Sequence, residues 1–486
     1  MPACLALYFA RKDIPWRNGV LIAFSLVFYA WGEPVYVFLM LATVFINWAL
    51  TLKIERARLS GIPPKRTKRG RMSKVEKAER EALANAAARK AKFFLICAIA
   101  ADLALLGVFK YAGFIVETVN AGFRADLPVP DIALPIGISF YTFQVMSYVI
   151  DVYRGDTRAQ RAFPKLLTYV SMFPQLVAGP IVRYEHIEES IEHRETNPRE
   201  AAQGVERFLV GLAKKAVLAN VCGDIADSLL ASDNFGQLSL LGAWLGVVMF
   251  AFQIYFDFSA YSDMAIGMGR IFGFRYRENF NYPYIATSAS EFWRRWHISL
   301  GTFFRDYVYI PLGGNREKQY RNLFVVWALT GLWHGASWNF VLWGLYWFAF
   351  IAFEKLWLRK RMEQWSRALS HIYTVLVFLF GWVFFYFTDI GDAAFCISRM
   401  FGSGAITDTG TTLLLQNNLF LLIVAVLASI PLGRAVSRLY RIAEHRGRTL
   451  ATSLFAVRCV WLGALLFVST IMLVGDSYNP FIYFRF

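Results

Sequence analysis

Apolar residues along this chain come in blocks, not in the alternation of a half-buried strand or the narrow stripe of a surface helix. A bilayer-spanning helix needs roughly 20 mainly apolar residues. Blocks near that length run at about 19–32, 35–52, 93–116, 132–150, 207–231, 238–256, 372–388, 416–433 and 451–475. Two more stretches, about 260–274 and 322–353, are apolar but irregular. The pattern predicts an all-α, polytopic integral membrane protein of roughly ten or more membrane helices. No Gly/Ser-rich linker interrupts it, so one domain over 1–486 is expected.

Two places depart from simple spans. Pro164, Pro174, Gly179 and Pro180 fall between Phe163 and Val182, a density that a regular helix does not tolerate. A re-entrant or interfacial segment, its irregular backbone buried in protein, is expected there. The second is 322–353, 32 residues without Asp, Glu, Lys or Arg. As one helix it would measure roughly 48 Å against a hydrocarbon core of about 30 Å, and two full spans would need more residues. Basic clusters flank both ends. A broken, hairpin-like segment with both ends on one side fits, with the break near Gly331–Gly335.

Composition agrees with the pattern: 57% of the 486 residues are hydrophobic and 18% are charged, where soluble chains average about 25% charged. The net charge of +16 would suggest nucleic acid, but its placement does not. Residues 51–92 hold 14 Lys and Arg against four Glu, which is +10 of the total. Such a loop between spans reads as cytoplasmic and able to meet anionic membrane lipids, with a surface helix over Lys74–Lys92. No aromatic platform interleaves the basic residues, so nucleic acid is not an expected partner. With that loop inside, basic residues at 154–165, 270–321 and 434–448 also fall inside. The run Cys4–Ala10 is too short for a signal sequence or a span. The five scattered cysteines make no disulfide or zinc pattern.

Six histidines bear on chemistry. His186 and His193 lie in a charged stretch, His371 opens an apolar block and His445 sits in a basic loop; none suggests a site. His334 lies about 18 Å along a helix from Arg321, the nearest charge on its N-terminal side. An ionisable group at that depth is functional by default, and the neutral imidazole favoured by desolvation is the form a general base needs. The bland alternative is a histidine hydrogen-bonded to a backbone carbonyl. Gly331, Gly335, Ala336 and Ser337 would leave room for a substrate. Equally, Gly331 and Gly335 could serve helix packing. His297 follows Ser288 and Glu291, a capping-box pair. A continuous helix from there would place Trp293, His297, Leu300 and Phe304 on one inward face, with Arg294 and Arg295 off it. Asp257 and Asp263, at the edge of an apolar region, read as partners of nearby arginines, with lining a pocket as the alternative. No Walker A, H-E-x-x-H or G-x-S-x-G motif occurs.

Several longer runs carry a resemblance: Glu291–Leu300 (EFWRRWHISL), Phe304–Arg316 (FRDYVYIPLGGNR) and Thr330–Phe340 (TGLWHGASWNF). Shorter ones are Phe28–Pro34, Pro135–Gln144, Phe173–Arg183 and Asn479–Phe486. Together they resemble the membrane-bound O-acyltransferase family, particularly its bacterial members that act in alginate O-acetylation. The short first apolar run and the long basic loop depart from that pattern without touching the histidine motifs. The resemblance implies a fold with re-entrant and interfacial segments around a central funnel. It implies that His334 is the essential histidine and that His297 is a second active-site position. It also implies an acyl donor from the cytoplasm, acetyl-CoA, with no permanently bound cofactor and no metal. The protein would sit in the bacterial inner membrane. It would pass acetyl groups across for O-acetylation of an exopolysaccharide such as alginate, with a periplasmic acetyltransferase as partner. Arg294 and Arg295 are candidates for the donor's phosphates, lipid headgroups being the other reading. Two further functions fit the same residues: D-alanyl or other acyl transfer to a cell-wall polymer, and a multispan transporter with His334 as proton relay. A transporter should carry further intramembrane charges, and 322–353 has none.

Overall fold

The computed structural model describes residues 1–62, 74–231, 235–433, 436, 448–475 and 481. Calls on Lys65–Arg71, on Asp233 and Asn234, on most of the basic loop at 434–448 and on most of the tail 479–486 lie outside the described residues. Those residues cluster into two compact units, each treated by itself.

The first unit holds Met1–Asn197 and Gly273–Tyr276. Its helices are α1 (Pro2–Ala10), α2 (Ile14–Gly32), α3 (Tyr36–Ser60), α4 (Lys74–Leu106), α5 (Ala112–Phe123), α6 (Ile138–Arg154), α7 (Phe163–Ser171) and α8 (Tyr184–Glu192). A π turn joins α4 to α5, so the helix expected over Lys74–Lys92 is continuous with the following span, Lys74–Phe123. The proline-rich stretch behaves as expected after a nine-residue start. Pro164 sits in the first turn of α7, where its missing N–H costs nothing. Residues 174–182 then run as buried non-helical backbone. Side chains satisfy the polar backbone there. The Tyr169 hydroxyl donates to the Val182 carbonyl at 2.8 Å, and the Phe173 N–H to Ser25 Oγ at 3.0 Å. Without such partners each buried amide would cost about 1–3 kcal/mol.

The second unit, Pro198–Phe272 and Arg277–Phe486, contains both histidines of interest. Its helices are α9 (Pro198–Ala213), α10 (Asn220–Leu230), α11 (Leu240–Ile271), α12 (Ala289–Arg295), α13 (Ile298–Phe304), α14 (Gln319–His334), α15 (Trp338–Phe353), α16 (Arg359–Met362), α17 (Arg367–Tyr386), α18 (Ile390–Met400), α19 (Thr409–Asn417), α20 (Leu419–Ala428) and α21 (Arg448–Gly475). A π turn over Lys214–Ala219 joins α9 to α10. Small residues let α9 lie directly on α11: a Cβ on Gly204 or Gly267 would fall 2.5 Å from the other's carbonyl oxygen. The apolar stretch at 260–274 is therefore not a separate element; most of it is the C-terminal part of α11.

Six described helices are long and apolar enough to cross a membrane, and seven if α19 and α20, bent by 56°, form one span. The ten or more expected are not met. One of the expected spans is short: α6 has 17 residues. Another, 207–231, carries Lys214, Lys215, Asp224 and Asp227 within its helix.

Candidate active site

The stretch 322–353 breaks where the sequence suggested. α14 ends at His334, Gly335–Ser337 turns, and α15 runs back against it. A Cβ on Gly344 would strike the Trp327 carbonyl, and one on Gly331 the Phe340 carbonyl. The two helices thus pack antiparallel at backbone contact, which brings both ends of the hairpin together. The space left by Gly331 and Gly335 is filled by Phe340. This supports the packing reading of these two glycines.

His334 is 8% exposed. Its Nδ1 lies 2.7 Å from the Thr330 carbonyl oxygen, one turn back in its own helix. A carbonyl only accepts, so Nδ1 carries the proton in the neutral ring and Nε2 is the basic nitrogen. The ring is walled by aromatics: Trp343 at 4.7 Å, Trp333 at 4.9 Å and Phe385 at 5.5 Å between centroids.

His297 reaches the interior by a different route from the one expected. Ser288 does cap α12, its Oγ accepting from the Glu291 N–H at 3.0 Å. The buried Glu354 carboxylate adds to the cap by accepting from the amides of Ala289 and Ser290, a favourable place for negative charge. The Glu291 carboxylate turns away to Thr287 and Arg295. Burial pushes that carboxyl up, but the Thr287 and Arg295 hydrogen bonds outweigh it and hold it below the usual range. The helix then stops. Trp296 is extended and His297 sits in the left-handed region at φ 44° before α13 begins. The continuous helix placing Trp293 and His297 on one face is thus corrected. The cause is competition from tertiary hydrogen bonds. The Ile298 N–H donates to the Asn279 carbonyl and the Asn281 N–H to the Arg295 carbonyl, both at 2.9 Å. These bonds with the irregular 279–281 segment replace the i→i−4 bonds of a helix.

The break leaves His297 1% exposed, with Nδ1 3.3 Å from Asn279 Oδ1. Trp333 stands between the two histidines, 5.7 Å from the His297 ring and 4.9 Å from that of His334. The pair is close enough to interact electrostatically. Residues 37 apart in sequence are thereby gathered into one aromatic-walled site.

Arg294 and Arg295 do not point the same way. Arg294 is exposed. Arg295 pairs with Glu291 at 2.7 Å and donates to the Asn281 carbonyl at 3.1 Å. Neither lines the cavity beside His297. That cavity, of about 1230 Å³, lies among α9, α11, residues 278–282, α20 and α21. Asn279, which touches His297, forms part of its wall. Its charged groups are Glu206, Arg207, Lys214, Asp263, Arg270, Glu278 and Arg458, on otherwise mainly apolar walls. Asp263 accepts from Arg207 at 2.8 Å and Lys214 at 2.7 Å. Asp257 pairs with Lys215 at 2.5 Å. Asp263 thus has an arginine partner as expected and also lines the cavity, whereas Asp257 pairs with a lysine. Sequence reasoning missed Trp333, Asn279, Arg207 and Lys214. The last two had a signal, one basic residue at the edge of the apolar block 207–231 and one inside it; Asn279 had none, since its importance comes from what it pairs with 18 residues away.

The sequence profile of the MBOAT, membrane-bound O-acyltransferase family, matches residues 158–391. The probable alginate O-acetylase AlgI of Pseudomonas putida is 34% identical over 100% of this chain and 98% of its own length. The chain belongs to the membrane-bound O-acyltransferase family. This multi-pass acyltransferase is also similar to a peptidoglycan O-acetyltransferase of Helicobacter pylori, 32% identical over 80% of this chain and 74% of that protein. A teichoic acid D-alanyltransferase of Bacillus subtilis is 27% identical over 51% of this chain and 68% of its own length. Both histidines of this acyltransferase fall inside the stretch that the family profile covers.

Proposed function

We propose that this acyltransferase takes acetyl groups from a cytoplasmic thioester, acetyl-CoA, and passes them across the bacterial inner membrane for O-acetylation of an exopolysaccharide such as alginate. A periplasmic acetyltransferase is the partner that completes the transfer. The likeness to AlgI over nearly the whole chain favours this substrate class over D-alanyl transfer. The observation that carries the chemistry is the tautomer of His334. Its Nδ1 is held on a backbone carbonyl, which directs Nε2 as the base.

In this reading Nε2 of His334 takes the proton of an acceptor hydroxyl as its oxygen attacks the thioester carbonyl. The tetrahedral intermediate collapses with cleavage of the C–S bond. The imidazolium then returns the proton to the departing thiolate, which regenerates the neutral ring. His297, beside it across Trp333, orients the acceptor or shares its proton. The aromatic walls exclude water, which strengthens each polar interaction at the reacting carbon. The cavity next to His297 is the donor's approach. Arg207 and Lys214 are tied there to Asp263 and Arg458 to Glu206, so Arg270 on the cavity wall is the candidate for the donor's phosphates, and exposed Arg294 is a further candidate for the donor or for lipid headgroups.

The test is acetyl transfer in membranes of cells making wild-type protein or His334→Ala at equal level, with His371→Ala as control. Loss of transfer in the first alone is expected. Wild-type acetylation by well-expressed His334→Ala would reject the reading.

A further inference from the structure

Asn279 is 1% exposed and has its side chain fully committed. Its Oδ1 accepts from the Ser299 backbone N–H at 3.1 Å and from Ser299 Oγ at 2.9 Å. A backbone N–H can only donate, which fixes the amide orientation: the oxygen, not the nitrogen, faces this side. The same oxygen faces His297 Nδ1 at 3.3 Å. Its Nδ2 donates to Ser262 Oγ at 3.3 Å, on α11. The Asn279 backbone carbonyl meanwhile holds Ile298 at the position after the left-handed His297. One residue thus meets both the backbone that follows His297 and the Nδ1 of its ring.

We propose that Asn279 is a positioning residue of the active site: its side-chain oxygen holds His297 as the Nδ1–H tautomer, so that Nε2 is the nitrogen offered to the reaction. This rests on the reading of the paired histidines as the acyl-transfer site, but the tautomer can be observed without any transfer. A purely structural asparagine would affect folding and donor binding, not the protonation pattern of one ring. His334 needs no such residue, because its Nδ1 meets a backbone carbonyl of its own helix. The two rings therefore present the same nitrogen through unrelated supports.

The experiment uses full-length protein in proteoliposomes with ¹⁵N-labelled histidine, the His297 signals being assigned by difference from His297→Gln. Wild type should show a protonated Nδ1 and an unprotonated Nε2 at neutral pH. Asn279→Leu should lose that pattern in favour of the other tautomer or a mixture. Its kcat for acyl transfer should fall about 100-fold, the scale of a misplaced reacting group, with KM for the donor changed less than about threefold. Asn279→Asp keeps the acceptor oxygen and should keep the tautomer. Its carboxylate should also move the ring's titration upward by about 1 pH unit or more, as a nearby opposite charge does. Nε2–H in wild type, or an unchanged pattern in folded Asn279→Leu, would overturn the assignment. If the leucine variant does not fold, the wild-type and Asn279→Asp spectra decide. The predicted spectra without acyl transfer by the wild type would uphold the positioning and reject the function proposed above.

Discussion

The hairpin that carries His334 and the broken helix that carries His297 solve one problem in opposite ways. Each holds a buried imidazole by a contact at Nδ1, which under the proposed function leaves Nε2 for the reaction. In the hairpin the support is local: a carbonyl one turn back, on a helix kept straight by its own hydrogen bonds. In the broken helix the support is remote: a side chain 18 residues away, at a backbone conformation that residues other than glycine seldom adopt. In the local arrangement the hydrogen bond at Nδ1 is to backbone, which a side-chain substitution leaves in place. The remote one depends on Asn279. A buried polar residue on a regular helix can therefore be read from sequence, while one at a tertiary break cannot.

The comparison is tested most severely by removing each ring. His334→Ala should lower acyl transfer about 10³-fold or more, near the upper range for a general base. His297→Ala should lower it about 10²-fold, both measured as acetylated polymer per unit of membrane protein. The double variant should lose much less than the product of the two, since residues acting as a unit are not additive. Additive losses would separate the two regions functionally.

The supports differ in what they tolerate. Gly344→Val puts a side chain against the Trp327 carbonyl and Gly331. It should cost about 1–3 kcal/mol, read as a lower melting temperature in detergent and less protein in the membrane. Gly301→Ala, in α13, meets only the Trp293 carbonyl at 3.9 Å and should stay within about 0.5 kcal/mol of wild type. Equal losses would show that the hairpin is no more closely packed than the helix after the break.

The smallest effect concerns pH. Glu291 near the start of α12 is held below the ordinary carboxyl value of 4.5. A lowered folded value means stability that is present above pH 4.5 and lost as pH falls through the lowered value. Glu291→Gln should therefore be less stable than wild type at pH 7 by less than about 1 kcal/mol, as for a partly exposed pair. The gap should shrink toward pH 3. The hairpin carries no such group, so Gly344→Val should show the same deficit at both pH values.

Much of the fold was legible. The blocks of apolar residues marked the long helices, and the excess length of 322–353 together with its flanking charges required a break near Gly335. The buried, irregular 174–182 segment followed from its prolines. The count of membrane helices was not legible, because apolar length alone does not register that α6 stops short or that 260–274 continues α11. The flawed step at His297 was the extension of a helical period through 296–297. Nothing in the local sequence signals that residues 279–281 take over its hydrogen bonds.

Sequence by itself determined that this chain spans a membrane, where its longest helices run, and that His334 stands apart from every charge. Those properties depend on runs of apolar residues and on helix geometry, both local. Only tertiary structure decided that Trp333 joins His297 to His334, that Asn279 orients the second ring, and that Arg295 is tied to Glu291 while other cations face the cavity. Those facts arise from hydrogen bonds and packing between distant segments, which outcompete the local preferences that a sequence records.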